Sequence, residues 1–295
     1  MRAHHLGFAL VIGLAAATPA LADKDADASY KEGLAYKGEG KIDDAIAAMQ
    51  AAVAANPRHG MAWAALGNLY KQKKDLAKSI DAYEHATAVI TKDAVLWTNL
   101  GTAYANSNRL DDALRVLTTA AKLAPNDAEI RAYLGTVDRK KSDYAGAIQN
   151  LEIAVKLKPD NAEWQHNLGV AYRFSKRDDD AIGAFGKAIA LDGNNAAYHL
   201  DLAIVYRRKQ QPDKAIPEYE KATSLAPDNA DAWFDLGFEY KENHDNDKAI
   251  DAYKHYLALK QGNAADAGVK RITEECQSIG GDCGKAAAKK PGKTK

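Results

Sequence analysis

At intervals of 34 residues the chain sets down a cation: Lys37, Lys71, Arg139, Arg173, Arg207 and Lys241, with one interruption at Ala105. Guanidinium and ammonium groups at constant spacing form a stripe if a regular scaffold lines them up, and such a stripe pairs with carboxylates. Beside them stand Phe174, Leu200, Ile204, Phe234 and Phe238, at positions that helix packing does not require. The matching places nearer the N-terminus hold Asn68, Thr98, Asn99, Thr102 and Asn106, so a groove built from these residues is apolar towards its C-terminal half and polar towards the other. The expected site therefore comprises Arg139, Arg173, Phe174, Leu200, Ile204, Arg207, Phe234, Phe238 and Lys241, holding a protein or peptide segment with apolar and acidic side chains. Each group has a second explanation. Cations near a helix C-terminus also favour its negative end, and apolar side chains can pack on the neighbouring helix instead of forming an exposed patch.

Other chemistry is absent from the pattern. No His-Glu-x-x-His, Gly-x-Ser-x-Gly or Gly-x-x-x-x-Gly-Lys-Ser/Thr occurs, and His59, His85, His166, His199, His244 and His255 are dispersed along the chain. The expectation is a non-enzymatic protein with no cofactor and no metal. Cys276 and Cys283 are the only cysteines; in an oxidising compartment they are expected to form a disulfide, the alternative being two idle thiols, and their spacing fits neither a redox motif nor a metal site. The formal net charge is zero, but the two ends carry six cations and no acid, which leaves the body at −6. An acidic body argues against nucleic acid as the ligand.

The residues that must position the stripe repeat with the same period. Seven consecutive units fit without a gap: 26–59, 60–93, 94–127, 128–161, 162–195, 196–229 and 230–263. The eighth position is always small (Gly33, Gly67, Gly101, Gly135, Gly169, Ala203, Gly237), and so is the twentieth (Ala45, Ser79, Ala113, Ala147, Ala181, Ala215, Ala249). Leucine dominates the seventh position and tyrosine the eleventh. Positions 4, 7, 8 and 11 define one face of a first helix, and positions 20, 21, 24, 27 and 28 one face of a second. Pro57, Pro125, Pro159 and Pro227 end the second helices. Asp43, Asp111, Asp179, Asp213 and Asp247 are expected just before those helices as caps. The reading is an all-α chain of helical hairpins. Repeat 4 departs most, with Arg131 and Asp138 where aromatic residues stand elsewhere; this predicts an internal ion pair or a water-facing gap, either repeat drift or a flexible joint.

The run Trp97-Thr98-Asn99-Leu100-Gly101-Thr102-Ala103-Tyr104, followed by Ala113, Ala120 and Pro125, resembles the tetratricopeptide repeat (TPR) family. The resemblance covers 26–263 and implies a right-handed superhelical solenoid whose first helices line a concave, peptide-binding groove. Ala264 to Ile279 is expected to form a capping helix (264–279), and 280–295 a disordered, lysine-rich tail. That tail is read as a solvated end, with weak contact to anionic envelope polymer as the alternative. Residues 1–22 read as a signal peptide: Arg2, an apolar run from Leu6 to Ala17, and small residues before a cleavage site after Ala22. No segment reads as a membrane span. The sequence thus predicts a periplasmic, non-enzymatic scaffold that binds a partner protein. The competing function is an accessory subunit presenting substrate to a separate polysaccharide or cell-wall enzyme.

Overall fold

The computed structural model describes residues 19–260 and 266–283, with side chains from residue 23 onward. Residues 1–18 of the predicted export signal, the stretch 261–265 and residues 284–295 of the lysine-rich tail lie outside the described residues. The chain divides into two compact bodies, with the division between Pro125 and Asn126. The first contains α1 (Pro19–Gly38), α2 (Ile42–Ala55), α3 (Gly60–Gln72), α4 (Leu76–Val89), α5 (Ala94–Asn106) and α6 (Leu110–Leu123). In the second are α7 (Ala128–Lys140), α8 (Tyr144–Leu157), α9 (Ala162–Phe174), α10 (Asp178–Leu191), α11 (Ala196–Arg208) and α12 (Pro212–Leu225). It is completed by α13 (Ala230–Glu242), α14 (Asn246–Leu259) and α15 (Ala267–Ser278). Only helices occur among the described residues, so the fold is an all-α solenoid of seven hairpins with a capping helix.

Each hairpin is locked by one knob and one notch. The small residue at position 8 receives the bulky side chain at position 24 of the same hairpin: a Cβ added at Gly169 would sit 2.6 Å from the Phe185 ring, and one at Gly237 2.5 Å from Tyr253. Neither ring is accessible to solvent. Burying a side chain of that size contributes about 1.5–3 kcal/mol, and overfilling the notch costs about as much. In repeat 6 Ala203 fills the notch and Tyr219 is the knob, both fully buried. The turn between the two helices of a hairpin is equally uniform. Its residue in the left-handed region is Lys74, Asn108, Ser142, Lys176, Gln210 or His244, all with φ between 55° and 62°, and Gly40 in repeat 1.

Helix starts follow a rule that the sequence reading misplaced. Asp43, Asp111, Asp179, Asp213 and Asp247 lie inside the first turn of the second helices and do not cap them. There a carboxylate favours the positive helix end without bonding to an amide. The capping side chains mostly precede the first helices instead: Asp93, Asp127, Asn161, Asn195 and Asn229 each accept from a backbone N–H of the following turn. Three second helices do carry an acid cap, at Asp75, Asp143 and Asp245. Where the cap position is Arg109 or Arg177, the guanidinium lies over Tyr104 or Tyr172 and bonds Asp112 or Asp180.

Within the second body one cluster of buried residues joins repeats 4 to 6 around Leu151, Phe185 and Leu202. Another joins repeats 6 and 7 to α15 around Tyr219, Tyr253 and Ile272. Cys276 and Cys283 are joined in a disulfide that ties the end of α15 to the residues after it.

Candidate partner-binding site

The cation column lies on the first helices, and in the second body its surroundings are specific. Arg173 pairs with Asp201 at 3.2 Å, Arg207 with Asp235 at 2.6 Å, and Lys241 with Glu275 of α15. The expected free basic stripe is therefore neutralised from within over repeats 5 to 7. Arg173 and Arg207, at position 12 of their repeats, each find the acid at position 6 of the next repeat. Burial opposes the charge on Arg207, but the bond to Asp235 and the nearby Tyr219 outweigh it and raise its pKa. Asp201 also bonds His166 Nε2 at 2.7 Å, so a single carboxylate holds together α9 and α11.

Arg139 differs. Its register partner in the next repeat is the neutral Asn167, and no ion pair involves its guanidinium among the described residues. The side chain is half-buried, and its Nε, like that of Arg173, is shut off from solvent without a hydrogen-bond partner, so what sets Arg139 apart is the missing ion pair.

A second cross-brace follows the same division. In repeat 6, Arg208 bonds Asp178 with Nε 2.9 Å from the carboxylate and reaches the Arg173 carbonyl oxygen at 3.1 Å, while Lys209 pairs with Asp179. One repeat earlier the position of Arg208 is held by Phe174, which stacks flat on Tyr144 with ring centroids 4.8 Å apart. Phe174 is 51% exposed. Leu200, Ile204 and Phe234, by contrast, are half-buried against the core of repeats 6 and 7. Phe234 and Phe238 lie beneath the Arg271 guanidinium of α15, 5.4 and 5.9 Å from the ring centroids. Phe174 in turn lies 4.6 Å from the Arg173 guanidinium, so all three phenylalanines meet an arginine, and of the five apolar residues named from sequence Phe174 alone is exposed.

Behind this face lie polar groups that single-column reading does not find. The Tyr219 hydroxyl is buried with no hydrogen-bond partner, and so is that of Tyr253. In repeat 2 the equivalent Tyr83 donates to Asn68 Oδ1 at 2.7 Å; in repeats 6 and 7 the place of Asn68 is taken by Ile204 and Phe238, which cannot accept. Burial raises the pKa of Glu239, which Arg207 only partly offsets. Asp138 is likewise raised by burial, although Asn150 donates to it at 2.9 Å. Asn150 also accepts from Arg131 at 3.5 Å, so this amide stands between Arg131 and Asp138, where the sequence predicted an internal ion pair or a water-facing gap.

In the first body the corresponding face is polar. Thr98 and Thr102 turn their hydroxyls onto their own helix, towards Ala94 and Asn99 carbonyl oxygens, and Asn68 is exposed. Asn99 is half-buried and Asn106 exposed. Lys37 and Lys71 are exposed. Of the histidines, His59 caps α3, His85 and His255 stack on Trp63 and Trp233, and His199 bonds Glu218.

Antiparallel helix pairs at a constant 34-residue period, with a knob from the second helix in a notch of the first, define a helical-repeat protein. Family models place it further. Tetratricopeptide or TPR repeat models match residues 30–91, 94–127, 135–173, 205–244 and 230–263, together about two thirds of the chain. The chain belongs to the tetratricopeptide repeat family. Among solved structures it is similar to MamA, with 29% identity, 55% of this chain and 94% of that one covered, and a TM-score of 0.53. YrrB, described as a TPR protein with an unusual peptide-binding site, is 21% identical over 62% of this chain and 95% of its own, with a TM-score of 0.56. PilF of Pseudomonas aeruginosa is 20% identical over 76% and 98%, with a TM-score of 0.57. No curated protein sequence gives a significant match. No helix among the described residues is long and apolar enough to cross a membrane.

Proposed function

We propose that this chain is a non-enzymatic scaffold of the cell envelope that holds a segment of another protein against the first helices of repeats 4 to 7. Proteins of the family mediate protein–protein interaction, and fold alone names no partner. What carries the assignment to this face is Phe174, at 51% the most exposed of the large hydrophobic side chains of this body, ahead of Leu191 at 46% and Tyr133 at 40%, and placed beside a charged column. Exposed aromatic surface with charges around it suits a partner segment that brings both apolar and acidic side chains. Export is part of the proposal. It rests on the apolar run and small-residue cleavage site at the N-terminus and agrees with the Cys276–Cys283 disulfide, a bond suited to an oxidising compartment.

Two experiments test it. A random dodecapeptide library is panned on the full chain, and retained peptides are mapped with photo-crosslinkers placed at Phe174 and, as a control, at the exposed Lys221 on α12. Crosslinks at Phe174 support the groove; retention of no peptide, or crosslinks at Lys221 alone, overturns it. N-terminal sequencing of the protein recovered from its own cells is expected to begin at Asp23, and an intact Met1 would refute export.

A further inference from the structure

The junction between repeats 4 and 5 lacks the charge compensation present at the next two. From repeat 5 to repeat 6 and from repeat 6 to repeat 7, the position-12 arginine meets an acid: Asp201 for Arg173, Asp235 for Arg207. At Arg139 the acid is replaced by Asn167, only 5% exposed, and the arginine is half-buried, its Nε buried, without an ion pair. Lys37 and Lys71 also lack such an acid, but they lie in water, which solvates them. Arg139 has surrendered part of that solvation and received nothing in exchange, a costly state unless a carboxylate arrives from elsewhere. The same junction carries the open ring of Phe174 on Tyr144 where the following one has Arg208 on Asp178.

Resting on the partner-binding role proposed above, we infer that Arg139 receives a carboxylate from the partner segment. That carboxylate stands in for the aspartate which repeats 6 and 7 supply internally, while an apolar residue next to it packs on Phe174. The partner chemistry is then specific: an acid beside an aromatic or aliphatic residue. A basic segment is disfavoured by Arg139 and the adjacent Lys140, both in the last turn of α7. The charge-assisted pair would be bidentate in the manner of arginine and carboxylate, which adds direction to the attraction.

The test supplies the missing acid. In Asn167→Asp the chain provides its own carboxylate in the register of Asp201 and Asp235, so the site is satisfied before a partner arrives. Peptides retained from the dodecapeptide library are measured by fluorescence anisotropy against the full chain, Arg139→Gln, Asn167→Asp and Phe174→Ala, with melting followed by circular dichroism. The expected result is that retained peptides carry an acid next to an apolar residue. Their affinity falls about tenfold in Arg139→Gln and in Asn167→Asp, a change of about 1.4 kcal/mol, while Asn167→Asp melts at or above the parent temperature. Peptides that crosslink at Phe174 but bind both charge variants as tightly as the parent overturn this inference and leave the binding role standing. The same holds if Asn167→Asp melts lower and keeps its affinity, because position 167 then does not face Arg139. Failure of the library to yield any peptide at this face removes both.

Discussion

Two adjacent junctions in the second body are built on the same hairpins and held by different chemistry. Between repeats 5 and 6, Arg173–Asp201, His166–Asp201, Arg208–Asp178 and Lys209–Asp179 cross the boundary. Between repeats 4 and 5 the corresponding places show a flat aromatic stack and an unpaired arginine. The notch and knob inside the hairpins do not change, since Gly135 receives Leu151 much as Gly169 receives Phe185. Regularity of fold is therefore set within each hairpin, and individuality of surface is set between hairpins. A repeat protein can satisfy its own charges at one junction and leave one without an internal partner at the next.

The contrast is broken most severely at Asp201. Removing it in Asp201→Ala strands Arg173 and His166, both mostly shielded from water, and is expected to cost about 3 kcal/mol in urea unfolding. Tyr144→Ala at the other junction removes only a stacked ring pair and is expected to cost about 1 kcal/mol. Equal losses would mean that the two junctions are held alike. Smaller still is the effect of relieving the left-handed turn residues. Lys176→Gly and Gln210→Gly should each gain about 0.5–1 kcal/mol and by the same amount, because the turn is common to both repeats. Unequal gains would show that the hairpins themselves differ.

The least change is expected at Asp138, whose pKa lies above the usual aspartate value because it is buried. The folded state then holds its proton to higher pH than the unfolded chain does. Stability from this group is present below the ordinary aspartate pKa of 3.8 and is lost as pH rises through the raised value. Asp138→Asn should keep the bond to Asn150 and flatten that part of the pH–stability curve; an unchanged slope would place the pH dependence elsewhere.

The hairpins were legible in the sequence because their signals recur in single columns. Small residues at position 8 and a bulky one at position 24 can be read straight down the alignment, and the structure joins them. The site was legible only in part. Arg173 and Arg207 stood out as cations, but Asp201 and Asp235 passed unnoticed because the pairs run between columns, from position 12 of one repeat to position 6 of the next. Reading 28 residues onward from each arginine would have found both acids and shown Asn167 as the exception. The cover of Arg271 over Phe234 and Phe238 carries no such signal, since α15 lies beyond the last repeat and keeps no register with the columns. The second-helix acids were misplaced for a simpler reason: a one-residue shift separates a cap from the first turn, and either place favours an acid.

Because every notch is filled from its own hairpin, the chain can gain or lose a whole 34-residue period without disturbing any knob. What such an event rewrites is the list of neighbours. Excising residues 196–229 would bring Arg173 into register with Asp235 and keep a pair, whereas excising 162–195 would bring Arg139 into register with Asp201 and close the open position altogether. Duplication and deletion of periods are thus a route by which a lineage can expose or neutralise a charge at a junction, such as the proposed docking point at Arg139, without remodelling its core.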